Sequence, residues 1–335
     1  MSFSFQAARK HKAQNFVFSP LSISIALGMV HGGAQSDTAE EMKAVMKLTK
    51  DPHSFFKDLM TTLKNADEAV IMKMANMLYV KQDFKILDTY KNLLKESYKS
   101  GIQEISMNEA GRGIINSFVE ETTNSRIKDL IPSGVLNDMT RLVLVNAVYF
   151  KGKWAEQFNA NNTRDHDFHV TKSETVKVPM MYISKSFPFG RDKALKCTYI
   201  KLPYIGDELE MLFVLPDEID GLKDLEEKLT GDTVAKWSRE ARKGMKVDLH
   251  LPRFKIEGDI PLKQILQEMG MVKMFSDNAD FSGMDGKRDL YVSDAFHKAF
   301  IEVNEEGTEA AAATGTVLFS ARASGLDIEH SKSNG

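Results

Sequence analysis

The sequence is poor in several features that would fix its class at once. It has one cysteine, Cys197, among 335 residues. That excludes an internal disulfide framework and any cysteine-based metal cluster. A lone thiol suits a reducing compartment and is also compatible with secretion. No run approaches the ~18 consecutive apolar residues of a membrane span; the best, residues 142–150, is interrupted by Asn146. The N-terminus lacks an apolar signal core. Phe3-Ser4-Phe5-Gln6-Ala7-Ala8 reads as a helix entered late, so further sequence is expected upstream. Charge of one sign is also missing: 44 basic against 47 acidic residues leave a net −3, too weak a field to imply nucleic acid. There is no internal repeat, low-complexity linker or Pro/Gly-rich break, so residues 1–335 read as a single domain.

Catalytic signatures are lacking too. No Gly-x-Ser-x-Gly elbow, His-Glu-x-x-His or phosphate loop occurs, so an enzyme is not expected, and neither is a cofactor. His166 and His169 hint at a metal pair, but with no third ligand evident they read as a solvated loop. Asn161-Asn162-Thr163 is the one glycosylation sequon, the number chance supplies at this length.

Hydrophobic content of 42% and charged content of 27% are ordinary for a globular chain. The first half reads helical. Residues 19–30 open with Ser-Pro and carry Ile23, Leu27 and Val30 at helical spacing. Residues 37–46 place Glu40 and Glu41 in the first turn, where carboxylates suit the helix dipole. Residues 52–63, 87–98 and 110–122 follow as helices. Strand patterns then take over at 142–150, a run apolar on both faces, and at 176–182, 197–202, 210–215 and 245–251, with turns at Tyr204-Ile205-Gly206-Asp207 and Pro216-Asp217. Short helices near 222–229 and 232–240 intervene, and 290–303 is the last strand. Helices first and strands later predict an α+β fold with large mixed sheets.

Residues 308–319 admit two readings. Four alanines after Thr308 suit a surface helix with a threonine cap. The run continues, however, into Thr314-Gly315-Thr316-Val317-Leu318-Phe319, which has β character. As a period-two strand, Thr308, Ala310, Ala312, Thr314, Thr316 and Leu318 share one face. That face is small and uncharged, while Glu309 lies on the other.

Several segments, taken together and in order, resemble the serpin family. They are Asn15-Phe16-Val17-Phe18-Ser19-Pro20-Leu21-Ser22-Ile23; the stretch from Val145-Asn146-Ala147 through Lys151-Gly152-Lys153-Trp154, with Phe158 and Thr163; Ala279-Asp280-Phe281-Ser282-Gly283-Met284; Ser293 with His297-Lys298-Ala299; and Val303-Asn304-Glu305-Glu306-Gly307-Thr308 with its alanines. The resemblance spans about residues 15–321. It implies three mixed β-sheets, about eight to nine helices and a mobile reactive-centre loop at about 305–325. It also implies a suicide-substrate inhibitor of serine proteases, whose cleaved loop inserts into the main sheet and carries the acyl-enzyme with it. The alternative is a non-inhibitory serpin acting as carrier or chaperone, which the small, uncharged hinge disfavours.

The resemblance assigns roles to residues. Glu305, Gly307, Thr308, Ala310, Ala311, Ala312, Ala313 and Thr314 form the loop hinge. Ser19, Ser22, Asn146 and His297 form a polar shutter beneath the sheet. Trp154, Thr163, Arg253 and Glu305 form the breach at its top, where a Glu305–Arg253 ion pair is expected. The family distance from the hinge glycine puts the reactive bond at Ala321, an elastase-like bait. A one-residue shift makes Arg322, followed by Ala323, the bait for a trypsin-like enzyme, and Arg322 is favoured as the stronger anchor. Only Lys57 and Lys64 lie near the helix that would bind heparin, so heparin is not an expected partner. An extracellular location is the expectation, with its signal outside this chain, and a cytoplasmic one the alternative. Residues 322–335 are polar and lack the family's C-terminal strands. The favoured expectation is therefore a cleaved fragment, partnered by its own C-terminal peptide, with residues 308–318 lying as a full central strand; the alternative is an uncleaved or shortened form, with residues 310–313 exposed, helical or disordered.

Overall fold

The computed structural model describes residues 15–48, 51–64, 70–244, 246–310 and 328–330. Its first helix, α1 (Pro20–His31), starts because Ser19 caps it: the Ser19 side chain accepts from the Ser22 N–H, and Pro20 occupies the first turn. Ile23, Ile25, Ala26, Leu27, Met29 and Val30 are all buried, so apolar residues surround the axis and the helix lies inside the molecule. Further helices are α2 (Ser36–Met46), α3 (Pro52–Lys64), α4 (Asp88–Tyr98) and α5 (Glu109–Thr122), the last capped by Asn108.

Between and after them run β1 (Val70–Lys81), β2 (Ile102–Ile105) and β3 (Leu142–Lys153). Then follow β4 (Arg164–Thr171), β5 (Glu174–Lys185), β6 (Pro188–Asp192), β7 (Cys197–Pro203) and β8 (Glu210–Pro216). After α6 (Leu222–Lys228) and α7 (Gly231–Glu240) come β9 (Arg242–Lys243), β10 (Val247–Pro252) and β11 (Phe254–Ile260). The chain closes with α8 (Leu262–Glu268), α9 (Ser282–Asp285), β12 (Val292–Val303), β13 (Gly307–Ala310) and β14 (Ile328–His330).

Three sheets form among the described residues. The six-stranded one has the order β11-β12-β13-β3-β1-β2; the four-stranded ones are β14-β10-β5-β4 and β8-β7-β6-β9. Both faces of β3 are covered, which explains its near-continuous apolar sequence. Val143 and Val145 pack with Ile115 and Val119 of α5 on one side. Leu142 and Leu144 pack with Ile23 and Leu27 of α1 on the other. A smaller core holds Cys197, Tyr199 and Leu212 against Val234 and Trp237 of α7.

Several expectations need correction. β1 has no counterpart in the sequence reading, because its Met-rich middle favours helix by propensity and pairing with β3 overrides it. His166 and His169 lie in strand β4, not in a loop. Three residues apart on a strand, they point to opposite faces. The polar 322–335 segment is expected to lack the family's C-terminal strands, yet within it 328–330 pairs antiparallel with 247–249 of β10. A three-residue strand joined by main-chain hydrogen bonds needs no apolar run to announce it. Of the central strand expected over 308–318, residues 308–310 are described and pair with β3 and β12, while 311–318 lie outside the described residues; lower down, 292–299 pair directly with 142–148.

Candidate functional site

The seam between β3 and β12 divides into two zones. Below, 142–148 and 292–299 pair in parallel, with one irregularity at Ser293. Above, the strands part and β13 lies between them, antiparallel to both: Thr308 stands opposite Gly152 on β3 and Val303 on β12. A wedge of backbone therefore enters the sheet from the top.

The wedge is held by a compact polar and aromatic set. Asn304 makes the turn from β12 into β13, its Oδ1 accepting from the N–H groups of Glu306 and Gly307 at 3.1 Å each. Gly307 and Gly152 permit close strand approach: a Cβ at Gly307 would sit 2.0 Å from the Gly152 carbonyl oxygen. Trp154 donates through Nε1 to the Asn304 carbonyl at 3.0 Å and stacks on Tyr204, ring centroids 4.7 Å apart. Tyr204 in turn donates to Thr308 Oγ1 at 2.8 Å. Burial raises the Tyr204 phenol above its ordinary range, so it remains a donor. Thr308 itself is only 1% exposed. Thr163 Oγ1 donates to Glu305 Oε1 at 2.7 Å, and Arg253 approaches the same oxygen at 3.7 Å. The expected breach residues thus meet at one place. Tyr204 and Asn304 complete it, though the sequence marked the first only as part of a turn and the second only as part of a motif.

The lower zone carries a polar row across three strands: Asn76 of β1 is level with Asn146 of β3, and Asn146 with His297 of β12. The His297 ring is fully buried and donates or accepts at both nitrogens. The Ser19 N–H donates to Nε2 at 3.1 Å, which fixes the proton on Nδ1. Nδ1 then donates to Asn146 Oδ1 at 2.5 Å, and that oxygen also accepts from Ser22 Oγ at 2.9 Å. Asn146 Nδ2 donates to Asn76 Oδ1. Each buried polar group is thereby satisfied. Burial lowers the His297 pKa to about 3, and protonation would set an N–H against the Ser19 N–H, so the ring is neutral. The four expected shutter residues converge here; Asn76 is the member the sequence reading missed, hidden because β1 was missed.

Ala311, Ala312, Ala313, Thr314, Ala321, Arg322 and Ala323 lie outside the described residues. Ala310 is described by its backbone pairing alone. Elsewhere, His169 Nδ1 meets Thr175 Oγ1 at 2.9 Å, while the His166 ring lies 5.7 Å from that of His250. Among the described residues no group of three or more His, Cys, Asp or Glu side chains is arranged to hold a metal.

A mixed sheet with a backbone wedge at the top of its central seam, above a buried polar row, defines a protein built to admit a strand. The family model Serpin (serine protease inhibitor) matches residues 1–332. Human serpin B3 is 40% identical over 94% of this chain and 86% of its own length. Bovine leukocyte elastase inhibitor is 41% identical over 91% of this chain and 83% of its own. The solved structure of emu ovalbumin superposes with a TM-score of 0.87 at 32% identity, covering 92% of this chain and 86% of that one. The chain belongs to the serpin family.

Proposed function

We propose that this serpin inhibits serine proteases as a suicide substrate, cut within its reactive-centre loop and trapping the acyl-enzyme as the freed loop zips into the β3–β12 seam. One observation carries the reading: β13 already begins the inserted strand at the top of the seam, in a register that can be continued. Counting down β3 from Thr308 opposite Gly152 brings Thr314 level with Asn146; counting down β12 from Thr308 opposite Val303 brings it level with His297. Those two are partners now, so the strands need only part to accept the loop in register. Thr314 has the parity of Thr308, hence the same face, and its hydroxyl suits the donor and acceptor that separation would leave open.

Continuing the ladder by about a dozen residues adds on the order of 10 kcal/mol, at a net ~0.5–1.5 kcal/mol per hydrogen bond. That is comparable to the ~5–15 kcal/mol stability of an ordinary domain. The uncut state is then held by a barrier rather than by depth. Cleavage splits the bait peptide bond, leaves its acyl half esterified to the protease serine, and frees that half to enter the seam. The protein itself returns no product, which is inhibition and not turnover.

The hinge roles of Glu305 to Thr314, the shutter role of Ser19, Ser22, Asn146 and His297, and the breach role of Trp154, Thr163, Arg253 and Glu305 all belong to this proposal. So does the bait. The elastase named in the bovine relative weighs toward Ala321 and an elastase-like target, against the basic anchor Arg322. The B-type relatives weigh toward the cytoplasmic alternative, as does a lone, buried Cys197 thiol. Incubation with an elastase-like and a trypsin-like serine protease tests the reading. An SDS-stable complex with one of them supports it and names the bait residue; clean cleavage with no complex overturns inhibition in favour of the carrier alternative.

A further inference from the structure

The breach and the polar row hold the top and middle of the seam, and its foot carries a third set of contacts. There β3 and β12 fall out of step, Leu142 facing Val292 and Val143 facing Asp294, so that Ser293 is left out of the ladder. A bulged residue is free to aim its side chain elsewhere. Ser293 Oγ accepts from the main-chain N–H of Arg141 at 2.9 Å. The Ser293 carbonyl accepts from Lys263 Nζ at 2.7 Å. The Arg141 carbonyl accepts from the Lys81 N–H at 2.9 Å, which ties the same residue to β1.

The Arg141 side chain adds a second layer. Its guanidinium donates to the Asp289 carbonyl and lies over the Tyr291 ring, 4.5 Å from the centroid. Tyr291 closes the loop by donating its hydroxyl to the Met139 carbonyl at 3.1 Å. Asp277 approaches the guanidinium at 3.9 Å but is 85% exposed, so that pair contributes little. Arg141 thus bridges the ends of β1, β3 and the approach to β12.

We propose that Arg141 and Ser293 form a latch at the foot of the seam, which sets how far an entering strand can travel. This rests on the insertion reading above. In the register of β13, residue 316 falls opposite Leu144 on β3 and Ala295 on β12, while residue 318 falls opposite Leu142 and Ser293. Strand entry down to residue 316 leaves the latch shut. The last residues before either bait bond must break the Arg141–Ser293 hydrogen bond and lift the guanidinium from the Asp289 carbonyl and the Tyr291 ring. The latch acts on the final stage of insertion, and Arg141 is a positioning residue, with no contact to the protease required.

Two synthetic peptides test this on the intact chain, one with the sequence of residues 308–316 and one with that of 308–321. Their rates of incorporation are followed by native gel. Arg141→Ala is expected to accelerate the longer peptide by about tenfold, the factor carried by one charge-assisted hydrogen bond, while leaving the shorter unchanged. Ser293→Ala shifts the longer peptide alone in the same direction. Arg141→Lys keeps the charge but not the planar group on Tyr291, and falls between wild type and alanine. Equal acceleration of both peptides means that the variant merely loosens the sheet, and overturns the latch; so does an unchanged rate for the longer one. If neither peptide enters the unaltered protein, the insertion reading itself fails, and the latch with it.

Discussion

The two zones of one seam are built for opposite tasks. The upper zone is open and filled by β13, and its contacts run mostly from side chain to main chain or hydroxyl: Trp154 to the Asn304 carbonyl, Tyr204 to Thr308, Thr163 to Glu305. The lower zone is shut, and it is bridged by a neutral imidazole paired with an amide in a fully buried row. A wedge that is already seated cannot advance until the row parts. On the proposed reading, the loop is held out of the seam by a barrier made of a few hydrogen bonds, which water cannot replace while they remain buried. Sheets resist gradual deformation, so such a seam is expected to open in steps.

The largest expected effect comes from the upper zone. Thr308→Arg puts an unpaired charge where a hydroxyl now meets Tyr204, in a site closed to solvent. Stoichiometric titration against the target protease is expected to show conversion from inhibitor to substrate. Undiminished inhibition would mean that the wedge is not the start of insertion. In the lower zone, His297→Leu leaves the Ser19 N–H without its acceptor and removes one of the two donors to Asn146 Oδ1, at roughly 1–3 kcal/mol for the unsatisfied N–H. Mild heating of that variant should give ladders on native gels at temperatures where the parent stays monomeric; identical gels would deny the row its role as the barrier.

A smaller effect separates the zones by pH. The folded-state pKa of His297 lies below its unfolded value of 6.5, so the unfolded chain binds the proton more readily. Its contribution to stability is complete above that value and declines as pH falls through it, by at most ~1.4 kcal/mol per pH unit. Urea midpoints at pH 7.5 and 5.5 should fall more for the parent than for His297→Gln. Matching slopes would assign the acid sensitivity to another group. The smallest change is expected for Arg253→Ala in the upper zone: Arg253 is 51% exposed at 3.7 Å from Glu305, and such a pair contributes ~0–1 kcal/mol. A shift of several degrees in Tm would show that this pair does more than its exposure allows.

Legibility in the sequence also differed between the zones. Asn146 stood out because a polar residue interrupts an otherwise apolar strand. His297, Ser19 and Ser22 followed from motifs that hold their spacing within contiguous segments. Asn76 escaped, since a Met-rich strand carries no period-two signal of its own and forms by pairing with β3. Tyr204 escaped for another reason: its part depends on Trp154 and Thr308, fifty and over a hundred residues away, and no local pattern encodes such a contact. The helices up to residue 240 came within a residue or two of their observed bounds, because capping and helical spacing are local, whereas the short helices 262–268 and 282–285 had no counterpart in the sequence reading. β13 and β14 are four- and three-residue strands specified by the edges they join.

The central claim is that cleavage releases the loop to continue β13 down the seam. The most direct measurement is the Tm of the chain before and after a single cut in the loop. Insertion worth on the order of 10 kcal/mol, at roughly 2–4 °C per kcal/mol for a domain of this size, predicts a rise of about 20–40 °C. An unchanged or lowered Tm after the cut would contradict the account.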